Sequence, residues 1–139
     1  VDALGIQSHI RIDTYDPTTG NGPRREREWR KFIDEVVAMD YDLLITEFDV
    51  NDQALPADIE SRDASVAAYA KAYLDLMFSY PQLKDVLAWG MCDPHSWLQD
   101  FQPTRTDGQS KRPTPYDAQS RPKPLHDTIA AAFNAAPGR

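Results

Sequence analysis

The stretch Leu43-Leu44-Ile45-Thr46-Glu47-Phe48-Asp49-Val50 is an almost continuous apolar run that ends in two acids. A short apolar run is typical of a strand covered on both faces, as in a parallel sheet packed under helices. Side chains two residues apart on a strand share a face, so we expect Ile45, Glu47 and Asp49 to point the same way. Parallel α/β sheets hold their active sites at the C-terminal strand ends. Two acids there indicate a functional site, because a buried carboxylate needs compensating partners.

Apolar patterns on both sides of this stretch predict two further strands and three helices. The strands are predicted at residues 4–10, 43–49 and 86–91, and the helices at residues 24–39, 62–79 and 123–135. This β-α-β-α-β-α order predicts right-handed parallel βαβ units. Three parallel strands cannot close a barrel, and as an open sheet they leave both edges bare. We therefore expect the unit to be an incomplete part of a larger sheet.

Length, charge and cysteine content limit the classes of function. The chain has 139 residues, which suffices for one core. No apolar run approaches the roughly 18 residues of a membrane span, so no membrane partner is expected. The formal charge of −7 argues against nucleic acid as a partner. The single cysteine, Cys92, excludes an intrachain disulfide. The chain starts with a strand and without Met, from which we expect it to begin inside a larger protein.

The groups that could act chemically follow the three predicted strands. They are Gln7 and His9 at the first strand, Glu47 and Asp49 at the second, and Trp89, Asp93 and Trp97 at and beyond the third. Because successive parallel strands end side by side, we expect His9 to bridge Glu47 and Asp49 through its two ring nitrogens. An oriented, ionised carboxylate is what a nucleophile at a sugar C1 requires, and indole faces can carry a pyranose ring. Taken singly, each residue also has a structural explanation.

Residues 93–121 form a long segment with four prolines and no periodic pattern. We expect this segment to be an irregular loop. Loops of such length inside a compact domain are uncommon and usually functional.

Four motifs of the sequence resemble successive motifs of the glycoside hydrolase family 10 xylanases. They are Gly-Ile-Gln-Ser-His at residues 5–9, Ile-Thr-Glu-Phe-Asp-Val at 45–50, Trp-Gly-Met-Cys-Asp-Pro-His-Ser-Trp at 89–97, and Arg-Pro-Lys-Pro at 121–124. Their order and approximate spacing also match, and the resemblance covers essentially the whole chain. It implies an α/β fold that is part of a (β/α)8 TIM barrel, namely its last three βα units with parallel strands six to eight. Residues 1–139 would then be a C-terminal fragment of a single catalytic domain.

The resemblance also implies an activity and roles for the site residues. The family is a set of retaining endo-β-1,4-xylanases, which hydrolyse xylan or xylo-oligosaccharides by double displacement without a cofactor or metal. Glu47 would be the nucleophile, and His9, bridged to Asp49, would orient it and modulate its charge. By the same resemblance we expect a secreted or periplasmic protein.

Four further residues take supporting roles in this comparison. Gln7 and Trp89 would contact the sugar next to the scissile bond, and Trp97 would close over it from the last long loop. Asp93 would hold that loop in place.

One part of the family's machinery is missing from the sequence. The general acid/base is a glutamate in an Asn-Glu motif at the end of strand four, and no Asn-Glu pair occurs here. We therefore expect the chain to supply the nucleophile and to be inactive alone. Its partner would be the N-terminal part of the barrel, in the same or a companion chain.

Two other functions remain open from the sequence. The chain could be a non-catalytic carbohydrate-binding or interaction remnant of such a barrel, in which the tryptophans and Gln7 hold sugar without hydrolysis. A metal-dependent hydrolase using His9, Glu47 and Asp49 is the weaker alternative. The sequence has three histidines and neither a His-x-His nor a His-Glu-x-x-His motif.

Overall fold

The computed structural model describes residues 2–12 and 26–136, which form four strands, three α-helices and two short 3-10 helices. The strands are β1 (Ala3–Ile6), β2 (His9–Arg11), β3 (Asp42–Asn51) and β4 (Leu83–Ala88). The α-helices are α1 (Glu26–Ala38), α2 (Ile59–Phe78) and α3 (Pro124–Ala135). The 3-10 helices span Asp93–His95 and Trp97–Gln99. Among the described helices, none is long and apolar enough to cross a membrane.

The four strands form one parallel sheet with β3 at its centre. β1 and then β2 pair with one side of β3, and β4 pairs with the other side. The predicted parallel arrangement of three consecutive strand segments is therefore confirmed. The register places His9 of β2 directly beside Asp49 of β3.

The first predicted strand, residues 4–10, is not continuous. Ser8 adopts a left-handed backbone conformation with φ of 64°, and the chain divides there into β1 and β2. A positive φ is uncommon for a residue other than glycine and needs support from its surroundings. The Ser8 hydroxyl shares a 2.7 Å hydrogen bond with the Tyr73 hydroxyl of α2, and burial raises the pKa of Tyr73 to about 12. This contact anchors the break to the helix layer.

The prediction that Ile45 shares a face with Glu47 and Asp49 is wrong. The pairing of β3 with β4 shifts register between Ile45 and Phe48. As a result, Ile45 packs in the core under the helices before the shift, and Phe48 and Val50 do so after it. Glu47 and Asp49 still share a face with each other, and the shift turns that face away from the core.

The third predicted strand lies earlier than expected. It was predicted at residues 86–91, whereas β4 spans Leu83–Ala88, so Trp89 follows the strand instead of belonging to it. The Trp89 backbone N–H still donates to the Phe48 carbonyl at 2.9 Å, which keeps the residue attached to β3. Gly90 then turns the chain with φ of 100°, a conformation that side chains disfavour.

The helices lie within three residues of their predicted positions. Residues 24 and 25 of the first predicted helix lie outside the described residues. α2 begins at Ile59 instead of residue 62, because the Asp58 carboxylate accepts the Ser61 backbone N–H at 2.8 Å and caps the helix. Apolar residues of the sheet and the three helices form one continuous core.

Apolar side chains around the end of β4 are exposed. Leu87, Trp89 and Met91 are 53%, 47% and 54% exposed. Among the described strands, only β3 has neighbours on both sides, so β4 also leaves one edge unpaired. This part of the surface can therefore accept further packing.

Candidate active site

His9 lies between two carboxylates at the end of the sheet. Its Nε2 is 3.0 Å from Glu47 Oε2, and its Nδ1 is 3.0 Å from Asp49 Oδ1. Both contacts were predicted from the sequence and both are present. They arise because β2 places His9 beside Asp49, and Glu47 precedes Asp49 by two residues on the same face. The three side chains therefore form one linked unit.

Two more side chains complete the hydrogen bonding of these carboxylates. The Trp97 indole N–H donates to Asp49 Oδ2 at 2.8 Å, and the Gln7 amide donates to Glu47 Oε1 at 3.5 Å. Each of the four carboxylate oxygens thus has a hydrogen-bonding partner. The Trp97 ring also lies against the His9 imidazole, with ring centroids 4.8 Å apart. The structure brings Gln7, His9, Glu47, Asp49 and Trp97 together as one cluster.

The two carboxylates differ in access to solvent. The Asp49 side chain is 1% exposed, whereas the Glu47 side chain is 24% exposed. Burial raises the pKa of Asp49, while the donors Trp97 and His9 counteract this by favouring its charged form. Glu47 is therefore the carboxylate that is accessible from solvent, and Asp49 is the buried carboxylate on the other side of the His9 ring.

Asp93, predicted to support the loop, joins three separate segments. Its Oδ1 accepts hydrogen bonds from the Thr114 hydroxyl at 2.8 Å and from Lys123 Nζ at 2.9 Å. Burial raises the pKa of Asp93 and lowers the pKa of Lys123, because each charge is removed from water, and their mutual attraction offsets part of this effect. These contacts connect the start of the long loop to its far end beside α3.

The segment that carries Trp97 is fixed by Lys111 and Gln99. Lys111 Nζ, almost fully buried, donates to the carbonyls of Leu98 at 2.8 Å and Phe101 at 2.6 Å. The Gln99 amide donates to the carbonyls of Asp93 and Lys111 at 2.8 and 2.9 Å. The expectation of an irregular loop over residues 93–121 is therefore only partly right, since it contains two 3-10 helices and is tightly bonded.

A buried ion pair connects α2 to the segment that precedes it, and a second, partly buried pair attaches the long loop to α2. Arg62 donates twice to Asp52, with the closer contact at 2.5 Å, and both side chains are at most 1% exposed. Arg112 forms two 2.7 Å hydrogen bonds with Asp63 of α2. Sequence reasoning missed these pairs, because an arginine on a helix or in a loop has no local signal that distinguishes a buried partner from a solvated one.

Trp89 differs from Trp97 in its surroundings. It is 47% exposed and follows β4 next to the Glu47 strand, to which its backbone N–H is bonded. About half of Trp89 is thus accessible from solvent. Within residues 2–12 and 26–136, no group of three or more His, Cys, Asp or Glu side chains has a metal-binding arrangement.

Comparisons with known proteins identify one family. The family model of glycosyl hydrolase family 10 matches residues 1–132. A thermostable celloxylanase from Thermoclostridium stercorarium is 30% identical over 133 residues, covering 89% of this chain and 31% of the relative. The chain therefore spans about a third of the length of that curated relative.

Solved structures show the same fold. The crystal structure of native xylanase 10B from Thermotoga maritima aligns with a TM-score of 0.77 at 22% identity, covering 96% of this chain and 37% of the other. A family 10 structure from Paenibacillus barcinonensis aligns with a TM-score of 0.69 at 21% identity, covering 100% and 38%. The agreement extends over nearly the whole chain.

Proposed function

Because the chain belongs to glycosyl hydrolase family 10, we propose that it is the nucleophile-bearing part of a retaining endo-1,4-β-xylanase. The observation that carries the proposal is Glu47, an accessible carboxylate held by His9 on one oxygen and Gln7 on the other. The substrate would be xylan or a xylo-oligosaccharide, in keeping with the celloxylanase and xylanase names of the relatives. Acting on such a polymer, the enzyme would be secreted or periplasmic.

The proposed reaction proceeds in two displacements at the sugar C1. In the first, a Glu47 oxygen attacks C1 and the glycosidic oxygen leaves with a proton from a separate acid, which forms a glycosyl ester. In the second, water attacks C1 and gives its proton to the residue that acted as the acid in the first step and now acts as the base. The ester bond breaks, and Glu47 is released as a carboxylate. The Gln7 contact to Oε1 is the longer of the two hydrogen bonds on Glu47. Oε1 is therefore the oxygen with more freedom to attack.

His9 would orient Glu47 and stabilise its charge. With both ring nitrogens protonated, the imidazolium donates to both carboxylates and favours the ionised, attacking form of Glu47. Buried Asp49 keeps the ring in this orientation. When Glu47 becomes an ester its charge is lost, and the contact with Asp49 still holds the His9 ring in place.

The substrate would lie over the accessible side of Glu47. The exposed face of Trp89 and the partly exposed Trp97 give flat apolar surfaces for a pyranose ring. The Gln7 amide lies beside Glu47 and can also bond a sugar hydroxyl. Asp93 would act indirectly by holding the loop that carries Trp97.

The acid/base must come from elsewhere in the barrel. Retaining glycosidases place their two carboxyl groups about 5–5.5 Å apart across the scissile bond. We propose that the three βα units are strands six to eight of one (β/α)8 catalytic domain, of which residues 1–139 are the C-terminal part. The remaining units would supply the acid/base. The complete enzyme is the chain together with these units.

The experiment that tests this proposal is reconstitution. The chain is mixed or co-expressed with the N-terminal units of its barrel, and release of reducing sugar from xylan is measured. We expect hydrolysis only from the combination, and loss of it with Glu47→Gln. The control Glu60→Gln changes an exposed glutamate in the first turn of α2 and should leave hydrolysis intact. Sugar binding by the combination without hydrolysis would favour the non-catalytic alternative.

A further inference from the structure

Trp97 makes contacts that a sugar platform alone would not require. Its indole N–H donates to Asp49 Oδ2 at 2.8 Å, on the side of the carboxylate opposite to His9. Its ring also packs between His9, at a centroid distance of 4.8 Å, and Phe101, at 4.6 Å. The polar edge of the indole is therefore directed at the charged unit, while 38% of the residue remains exposed.

We propose that Trp97 is a positioning residue for the nucleophile, acting on Glu47 through Asp49 and His9. This inference rests on the proposed role of Glu47. Asp49 is 1% exposed, so its negative charge depends on its two donors. Without the indole N–H, one buried oxygen loses its partner, and the carboxylate is then protonated more easily or turns away. Either change weakens the hold of Asp49 on His9 and, through His9, on Glu47.

The loop keeps the indole in place in the absence of sugar. Lys111 Nζ donates to the carbonyls of Leu98 and Phe101. Leu98 is the residue after Trp97, and the Phe101 ring packs against the Trp97 ring. The 3-10 helix that starts at Trp97 is capped by the Ser96 hydroxyl, which accepts the Leu98 backbone N–H at 3.2 Å. A donor fixed in advance needs no rearrangement during the reaction, which is the condition for effective electrostatic support of a charged group.

The proposal predicts a specific pH effect. The titratable groups that act on Asp49 are His9 from β2 and Glu47 from β3, and the loop contributes the neutral Trp97. Trp97 favours the charged form of Asp49, so its removal raises the pKa of that carboxyl. A hydrogen bond to a charged group is strong enough to move a pKa by about one unit. Without the indole N–H, the acidic limb of the activity profile should therefore shift to higher pH by about one unit.

The first test uses Trp97→Phe in the complete enzyme, which keeps an aromatic face and removes the N–H. We expect kcat to fall by about tenfold, KM to stay within about twofold, and the acidic limb of kcat/KM to rise by about one pH unit. The control is Trp29→Phe, which removes an indole N–H that donates to Met77 Sδ at 3.3 Å under α1. It should retain the parent profile. A Trp97→Phe profile that superimposes on the parent profile would overturn the proposal, whatever its KM.

Two further measurements separate positioning from folding and from sugar contact. Benzothienylalanine at position 97 replaces the N–H by sulfur with little change in shape, and should reproduce the shifted limb. In an Asp49→Asn background, Trp97→Phe should no longer change the profile, because the two residues act as one unit. An effect of full size in that background would mean that Trp97 does not act through Asp49.

A measurement without substrate keeps this inference distinct from the proposed function. The ring nitrogens of His9, assigned by comparison with His9→Asn, are followed by 15N NMR in parent and Trp97→Phe proteins as pH is lowered. We expect the protonation of Asp49, observed as a change in the chemical shifts of the His9 nitrogens, to begin about one pH unit higher in the variant. Identical titrations would overturn the inference even if Glu47 is the nucleophile. A shifted titration in a protein that hydrolyses no xylan would support it while the proposed function fails.

Discussion

Replacing His9 by asparagine tests how much the bridging imidazole contributes to catalysis. The asparagine amide nitrogen lies the same number of bonds from Cα as His9 Nδ1, so it can still donate to Asp49. It has no atom in the place of Nε2, which is 3.0 Å from Glu47 Oε2 in the parent. The substitution therefore removes the donor to Glu47 and largely preserves the buried contact behind it.

The structure sets the size of the expected effect. One hydrogen bond to a charged group contributes about 1.5–3 kcal/mol. If that stabilisation serves the attack by Glu47, kcat should fall by about 10- to 150-fold, since about 1.4 kcal/mol corresponds to a tenfold change in rate. Stability should change little, because His9 is partly exposed and Asp49 keeps a donor.

The assay uses the complete enzyme and aryl xylobiosides with good and poor leaving groups. A good leaving group departs with little help from the acid. A variant with a defective acid therefore recovers its rate on such a substrate, whereas a variant with a defective nucleophile does not. The matched control is His126→Asn, which alters a histidine on α3 whose Nδ1 contacts Asp127 at 2.8 Å. His9→Asn rates within about twofold of the parent on both substrates would refute the orienting role.

Two other predictions concern the buried ion pairs and the open side of the sheet. In the complete enzyme, Arg62→Met should lower the free energy of unfolding by about 3–5 kcal/mol, because it leaves Asp52 buried without its partner. Arg30→Met, which breaks the exposed pair with Glu26, should change it by less than about 0.5 kcal/mol; equal shifts in urea midpoint would contradict the buried-pair argument. Residues 1–139 expressed on their own should self-associate through the exposed side chains Leu87, Trp89 and Met91, because exposed apolar patches favour association. A concentration-independent monomer with a cooperative melt in size-exclusion and thermal experiments would count against this.

The elements of the fold were predictable where one periodic pattern decided them. The apolar stripes located all three helices, and the alternation of strands and helices led to the parallel sheet. The break at Ser8 and the register shift after Ile45 were not predictable. Both depend on contacts between distant segments, such as Ser8 with Tyr73, which a local pattern does not contain.

The contacts of the candidate site were also predictable only in part. The bridge from His9 to Glu47 and Asp49 followed from two rules, that alternate residues share a strand face and that parallel strands end together. The hydrogen bond from Trp97 to Asp49 could not be predicted, because it depends on the path of the loop. That path is determined by contacts that no periodic sequence pattern indicates, such as the hydrogen bond from Lys111 to the Leu98 carbonyl.

If Glu47 is the nucleophile, it forms a covalent bond to the sugar, and that bond can be trapped. The complete enzyme is incubated with a 2-fluoro-xylobioside that bears a good leaving group, digested, and analysed by mass spectrometry. Fluorine at C2 slows both displacements and the good leaving group restores the first, so a glycosyl ester accumulates. We expect one added fluoro-xylobiosyl group on the peptide that contains Glu47, and none in Glu47→Gln. A label on another residue, or a Glu47→Gln variant that hydrolyses xylan at the parent rate, would contradict this role of Glu47.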